Sequence, residues 1–305
     1  MPEQANFNYL VERAMQGPGR GHMRPVIAKE LLHYDILFRL DKEGLLDQLT
    51  FQGGTSLRLC HGSARFSEDL DFVGGRHFAS QQLHQMKECI EDYIGKRYGL
   101  EVRVKEPAEL RQDPEYATLK VDKWQISVVT SPERKDLPMQ RVKVEVANIP
   151  AYSREPRPLQ VNYDFLPDGY GDTLIMTETL NEVMADKLVS LVNTQRYVRH
   201  RDIWDLRWLK QKGATIVPDW IDAKISDYRI DDYLGKLDET WQRLPEIIHG
   251  QRFREEMSRF IPRDVQERTL DKAKFLDFLV SETGSMLHEV KHELSREESD
   301  DEFTI

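Results

Sequence analysis

Apolar residues recur at helical intervals in "VIAKELLHYDILFRLDKEGLLDQL", where Ile27, Leu31, Leu32, Ile36, Leu37 and Leu40 form a stripe. A shorter helix is expected from Asn6 to Met15, stopped by "QGPGRGHMRP". The pattern then shortens. "LTFQ" and "EDLDFVGG" read as brief strands on either side of "TSLRLCHG", which has room for two helical turns closed by Gly62. "SQQLHQMKECIEDYIGKRYG" is an amphipathic helix ending at Gly99. Three strand-like runs follow: "LEVRVKE", "WQISVVTS" and "QRVKVEVANI". The last alternates cleanly, with Val142, Val144 and Val146 on one face and Lys143, Glu145 and Ala147 on the other. "PAYSREPRPLQVNYDFLPDGYGD" is rich in Pro and Gly and reads as a connector. From Thr177 onward helical patterns dominate, closing on the acidic tail "SREESDDE".

This order predicts an α+β protein: N-terminal helices over 1–44 packing on the core, a mixed-sheet core over 45–172, and a helical domain over 173–305. The 305 residues carry 53 acids against 43 bases, a formal net charge of −10. A chain that lives on non-specific phosphate contacts is usually basic, so any nucleic-acid contact must be local, or the ligand must bring cations. Cys60 and Cys89 are too few and too separated to build a metal site or a disulfide framework. With no apolar leader core and no membrane-length apolar run, a reducing cytoplasm is the expected address and no membrane partner is expected.

The strand "EDLDF" poses a chemical problem. Residues two apart on a strand share a face, so Asp69 and Asp71 aim at the same space while Leu70 and Phe72 turn away. Like charges so placed oppose each other's ionisation unless a cation intervenes. Hard cations such as Mg2+, or Mn2+ in its place, favour such carboxylates together with waters and phosphate oxygens. Two metals about 3.5–4 Å apart clamp the entering and leaving oxygens of an in-line displacement. A third acid must come from a neighbouring strand. Glu145 is the best candidate, with Glu101 and Asp122 weaker because their strands are less regular. Upstream, Gly53 and Gly54 allow a tight turn with close backbone approach, and Thr55 and Ser56 open a helix whose free N–H groups suit a triphosphate tail. Their hydroxyls are expected to add a donor, and Arg58 and Arg65 compensating charge. Each piece alone suits an ordinary capped helix or a solvated edge strand; their order and spacing favour the chemical reading.

Farther on, Lys187 falls inside the apolar stripe of Val183, Met184, Leu188, Leu191 and Val192. A lysine there either extends its head to solvent or meets an acid or a phosphate. Asp202 and Asp205 share a helical face, as a helix-start acid and a salt-bridge partner, or with one of them, Asp202 by preference, orienting Lys187 or helping hold substrate. Arg196, Arg199, His200 and Arg201 form a basic cluster that is either a solvated turn or a phosphate contact.

The ordered set, Gly54-Thr55, thirteen residues, then Asp69-Leu70-Asp71-Phe72, resembles the signature of DNA polymerase β-like nucleotidyltransferases. The fuller form "FQGGTSLRL…RFSEDLDF", followed by "ADKLVSLVNTQRYVRHRDIWDL", is similar to the AbiEii-type nucleotidyltransferase toxins paired with type IV antitoxins. That resemblance covers about half the chain. It implies a polymerase β-like core, a nucleoside triphosphate substrate, metals on Asp69, Asp71 and Glu145, and nucleotide contacts from Gly53, Gly54, Thr55, Ser56, Arg65 and Lys187. It also implies a catalytic role for Lys187 and Asp202, an RNA acceptor at the tRNA 3′ end, growth arrest, and a cognate antitoxin. Two rivals use the same residues. One is a two-metal nuclease or phosphohydrolase, which needs no cradle for a triphosphate tail. The other is a non-catalytic helical interaction protein on a relic of the fold, which needs no intact acids.

Overall fold

The computed structural model describes residues 4–107, 121–133, 139–194 and 197–301. The chain divides into two compact units, Met1–Glu178 and Thr179–Ile305.

The first unit holds a seven-stranded mixed sheet with two long helices. α1 (Phe7–Met15) and α2 (Arg24–Lys42) precede β1 (Thr50–Gln52), α3 (Gly53–Leu59) and β2 (Leu70–Val73). Then come α4 (Met86–Tyr98), β3 (Val102–Lys105), β4 (Val121–Val128), β5 (Gln140–Ala147), β6 (Glu155–Pro158) and β7 (Leu174–Thr177). The spatial order is β3-β4-β5-β2-β1-β7-β6. β2 runs parallel to β5, and β1 parallel to β7; the other pairs are antiparallel.

One face of this sheet is the core. Leu70, Phe72, Trp124, Ile126, Val142, Val144 and Val146 are buried there, and α2 packs against β5 as α4 does against β3. Burial of such side chains contributes about 1.5–3 kcal/mol each. The opposite face of β3, β4 and β5 carries the polar half of the alternation, and Glu145 lies on it, beside Asp71 of β2.

Two elements differ from the sequence expectation. The Pro- and Gly-rich segment is not wholly a connector, because Glu155–Pro158 forms β6. Pro156 and Pro158 are tolerated because β6 lies at the sheet edge, where a missing N–H costs no ladder bond. The helix expected from Ser80 is broken: Ser80–Leu83 is a 3-10 turn, and α4 begins only at Met86. Its end at Gly99 holds, with a left-handed φ of 66°.

The second unit is helical: α5 (Leu180–Asn193), α6 (His200–Gln211), α7 (Pro218–Asp227), α8 (Tyr233–His249), α9 (Gln251–Ser258), α10 (Arg263–Arg268) and α11 (Ala273–Asp301). Its core includes Val183, Leu188, Ile203, Leu206, Ile221, Leu237, Phe253 and Leu287. No described helix is long and apolar enough to cross a membrane.

Candidate active site

The register of the sheet sets the site. Asp71 of β2 is the direct partner of Glu145 on β5. Glu145 in turn faces Lys123 on β4, and Asp71 faces Gln52 on β1. Cross-strand partners share a face, so Lys123, Glu145, Asp71 and Gln52 form one polar row across four strands. Asp122 pairs with Val146 and therefore turns to the core face, away from Glu145. Glu101 precedes β3, the far edge strand. Of the three acids weighed as third member, Glu145 alone stands beside Asp71.

Asp69 sits one residue before β2 and leans toward β5, where its Oδ1 accepts the Lys143 backbone N–H at 3.3 Å. Glu145 is drawn the other way, its Oε1 lying 3.3 Å from Lys123 Nζ. The three sheet acids thus share a face without closing to metal-ligand spacing. Among the described residues the acids that do so are Glu178, Glu182 and Asp186, whose ligand atoms lie within 4.8 Å of one another. This group was not anticipated, although acids at intervals of four in "ETLNEVMAD" were its signal. A cation already answers two of its members. Lys224 Nζ lies 3.0 Å from Glu182 and 2.7 Å from Asp186, with Lys224 and Glu182 fully buried.

The glycine turn lies against the sheet acids. Gly53 has φ +76°, a conformation costly for any residue with a Cβ, and a Cβ there would stand 2.9 Å from Asp71 Oδ2. The Asp71 carboxylate therefore lies directly over the Gly53 backbone. At Gly54 a Cβ would press on the Arg65 guanidinium. Gly53 is favoured by its left-handed φ, and Gly54 by the buried Arg65 side chain packed against it.

The side chains around this turn are placed differently from the sequence expectation. The Thr55 hydroxyl donates to the Asp69 carbonyl, tying α3 to the residue before β2. Ser56 is fully buried, and its Oγ has no hydrogen-bond partner among the described residues. Neither hydroxyl is presented to solvent. Arg65 is buried and donates to the Phe66 carbonyl at 2.8 Å, so it supports the turn from beneath. Arg58 is held by both Glu30 carboxylate oxygens, at 2.8 and 3.0 Å, and lies 4.2 Å from the centre of the Phe66 ring. Its charge answers Glu30 rather than a ligand. On α2, Lys29 pairs with Glu68 at 2.8 Å, and His33 Nε2 lies 2.9 Å from the Glu68 carbonyl. These contacts fix the chain just before Asp69. Burial, the largest influence, lowers the His33 pKa to about 4.

In the helical unit Lys187 is buried, with its ammonium 2.7 Å from Asp202 and 3.2 Å from Asp205. Ser190 Oγ donates to the other Asp202 oxygen at 2.8 Å. Burial pushes the Asp202 carboxyl up, but Lys187, Arg199 and Ser190 together hold it below the usual carboxylate range. Both aspartates therefore orient Lys187. The basic cluster beside them is largely engaged. Arg199 donates to Thr194 at 3.0 Å, and Arg201 lies 3.6 Å from Glu256 and 4.9 Å from the centre of the Phe260 ring. Arg196 lies outside the described residues.

A mixed sheet with paired acids on its open face, a diglycine turn against them and a following helical unit define a polymerase β-like nucleotidyltransferase. The family description "Nucleotidyl transferase AbiEii toxin, Type IV TA system" matches residues 35–281, and the chain belongs to that family of enzymes. Among solved structures it is similar to MenT4, a nucleotidyltransferase toxin from Mycobacterium tuberculosis H37Rv. The identity is 21% over 79% of this chain and 72% of that one, with a TM-score of 0.49. It is also similar to JHP933 from Helicobacter pylori, at 17% identity over 90% of this chain and 95% of that one, with a TM-score of 0.41. No curated protein matches the chain significantly.

Proposed function

We propose that this chain moves a nucleoside monophosphate from a nucleoside triphosphate to an acceptor hydroxyl at the tRNA 3′ end, and so arrests growth unless a cognate antitoxin restrains it. The observation that carries the reading is the in-register pairing of Asp71 with Glu145, on an open sheet face beside the Gly53 backbone. Asp69, Asp71 and Glu145 are the residues that would hold Mg2+. The donor set fits a hard cation: it is all carboxylate and half-buried, and Lys123 beside Glu145 is half-exposed rather than sealed in. Divalent cations bound there would neutralise the acids and the phosphate charge and favour an in-line displacement with pyrophosphate leaving.

The protein's own residues have separate tasks. Gly53 and Gly54 let the backbone approach the triphosphate, and the backbone N–H groups of the turn, rather than the hydroxyls of Thr55 and Ser56, meet its oxygens. Thr55 and Arg65 hold that turn in place. Asp69 would release the Lys143 amide, and Glu145 would release Lys123, as the acids close. The family motif assigns Lys187 to the phosphates with Asp202 orienting it, a role that requires its ammonium to leave at least one of Asp202 and Asp205. Catalysis is then positioning plus electrostatics without a covalent enzyme intermediate.

The test is a screen of the four α-labelled ribonucleotides against total RNA and against purified tRNA. Label entering intact tRNA supports the reading. RNA that loses length without gaining label would mean a nuclease instead.

A further inference from the structure

The open face of the sheet carries more than the acid row. Beyond Lys123, Glu145 and Asp71, the register sets a second row, Lys105, Gln125 and Lys143, and a third, Arg103, Ser127 and Arg141. The charged strand residues on this face of β3, β4 and β5 are thus Arg103, Lys105, Lys123, Arg141 and Lys143, with Glu145 as the sole acid among them. In a chain of net charge −10 this is a local reversal of sign. Arg103, Arg141 and Lys143 are exposed and Lys105 is half-buried. Among the described residues, the side chains of these four form no ion pair. That contrasts with Arg58, Lys187 and Lys224, which are matched to acids at 3.2 Å or less.

We infer that rows two and three are the acceptor track, binding the phosphates of a single RNA strand whose terminal hydroxyl lies at the Asp71–Glu145 row. This deepens the proposed function and rests on it. Side chains two apart on a strand are about 7 Å from each other, and neighbouring strands about 4.8 Å. The cations are therefore spread over a strip rather than gathered around a point, which suits a chain of phosphates better than one small anion. With a net charge of −10 the chain as a whole disfavours RNA, so a positive strip beside the acids both draws the strand and sets its direction of approach. It also meets the demand posed by the overall acidity: the phosphate contact is local.

The test pairs wild-type full chain with Arg103→Gln/Arg141→Gln, two exposed positions in the row farthest from the acids. A fluorescein-labelled single-stranded oligoribonucleotide is titrated at several salt concentrations without nucleotide or metal. Each neutralised single-strand phosphate contributes a slope of about 0.7 in log affinity against log salt, so the double variant should bind more weakly with a slope shallower by about 1.4. In transfer assays KM for tRNA should rise about tenfold, while kcat and KM for the triphosphate hold. Lys105→Gln should shift the slope by about half as much, which guards against misfolding of the double variant. Unchanged affinity and slope in both variants, with wild type still labelling tRNA, would overturn the track while leaving the nucleotidyl transfer intact. If the slope shifts but wild type labels no RNA, the surface stands and the transfer reading fails.

Discussion

In the helical unit Asp202, Asp205, Glu182 and Asp186 each lie within 3.2 Å of a lysine ammonium, and both lysines are buried together with Asp202, Asp205 and Glu182. In the sheet unit Asp69 rests on a backbone amide, and Glu145 lies 3.3 Å from a lysine that is half open to solvent. The contrast separates two uses of a carboxylate. A buried acid beside a sealed ammonium has its counter-charge built in, and separating the pair is costly. An acid whose partners are weak and exposed can exchange them for a bound cation at small cost. By this measure the proposed metal site falls on the sheet acids, and Glu182 has its counter-charge built in despite its close spacing to Glu178 and Asp186.

The largest expected effect falls on the sheet. Asp71→Asn should lower transfer by more than about a hundredfold, since even outer-shell changes at metal sites cost 10–100-fold. Its thermal midpoint should stay within a few degrees of wild type. A stable and fully active variant would place the chemistry elsewhere. Lys224→Met sharpens the other side. It leaves Glu182 buried without its ammonium and should cost about 3–5 kcal/mol, read by urea unfolding followed by tryptophan fluorescence. An unchanged midpoint would mean that the pair is not structural.

The next effect is one of pH. The His33 pKa is about 4 in the folded chain against 6.5 in the unfolded one. Between those values the unfolded state binds more protons, so stability falls as pH drops from 6.5 toward 4 and levels off below that. The full span is worth about 3 kcal/mol. Thermal melts across this window should show the loss, and His33→Gln should flatten it; an equal slope in the variant would assign the loss to other groups. The smallest effect is at Gly53. Alanine there adopts a left-handed φ at a cost of about 1–2 kcal/mol and presses on Asp71. The melting temperature should drop by several degrees and transfer should weaken; a variant matching wild type in both would remove the turn from the site.

Much of this was readable in the chain. The Val142–Val146 alternation sets the direction of Glu145, and the i, i+2 spacing does so for Asp69 and Asp71. Which strand would lie beside which is a long-range property. The Asp71–Glu145 pairing, and the rejection of Asp122, follow from register alone. Burial misled in the other direction. Ser56, Arg58 and Arg65 are residue types usually found at surfaces, and here they lie inside, held by packing that no local pattern announces. β6 was hidden by its prolines, which only an edge position tolerates.

The most direct test is Mn2+ binding in the presence of a non-hydrolysable triphosphate, followed by electron paramagnetic resonance in wild type, Glu145→Gln and Asp186→Asn. Tight Mn2+ binding that is lost in Glu145→Gln and kept in Asp186→Asn is the predicted result. Binding kept in Glu145→Gln and lost in Asp186→Asn would contradict the account and move the metal to the group of Glu178, Glu182 and Asp186.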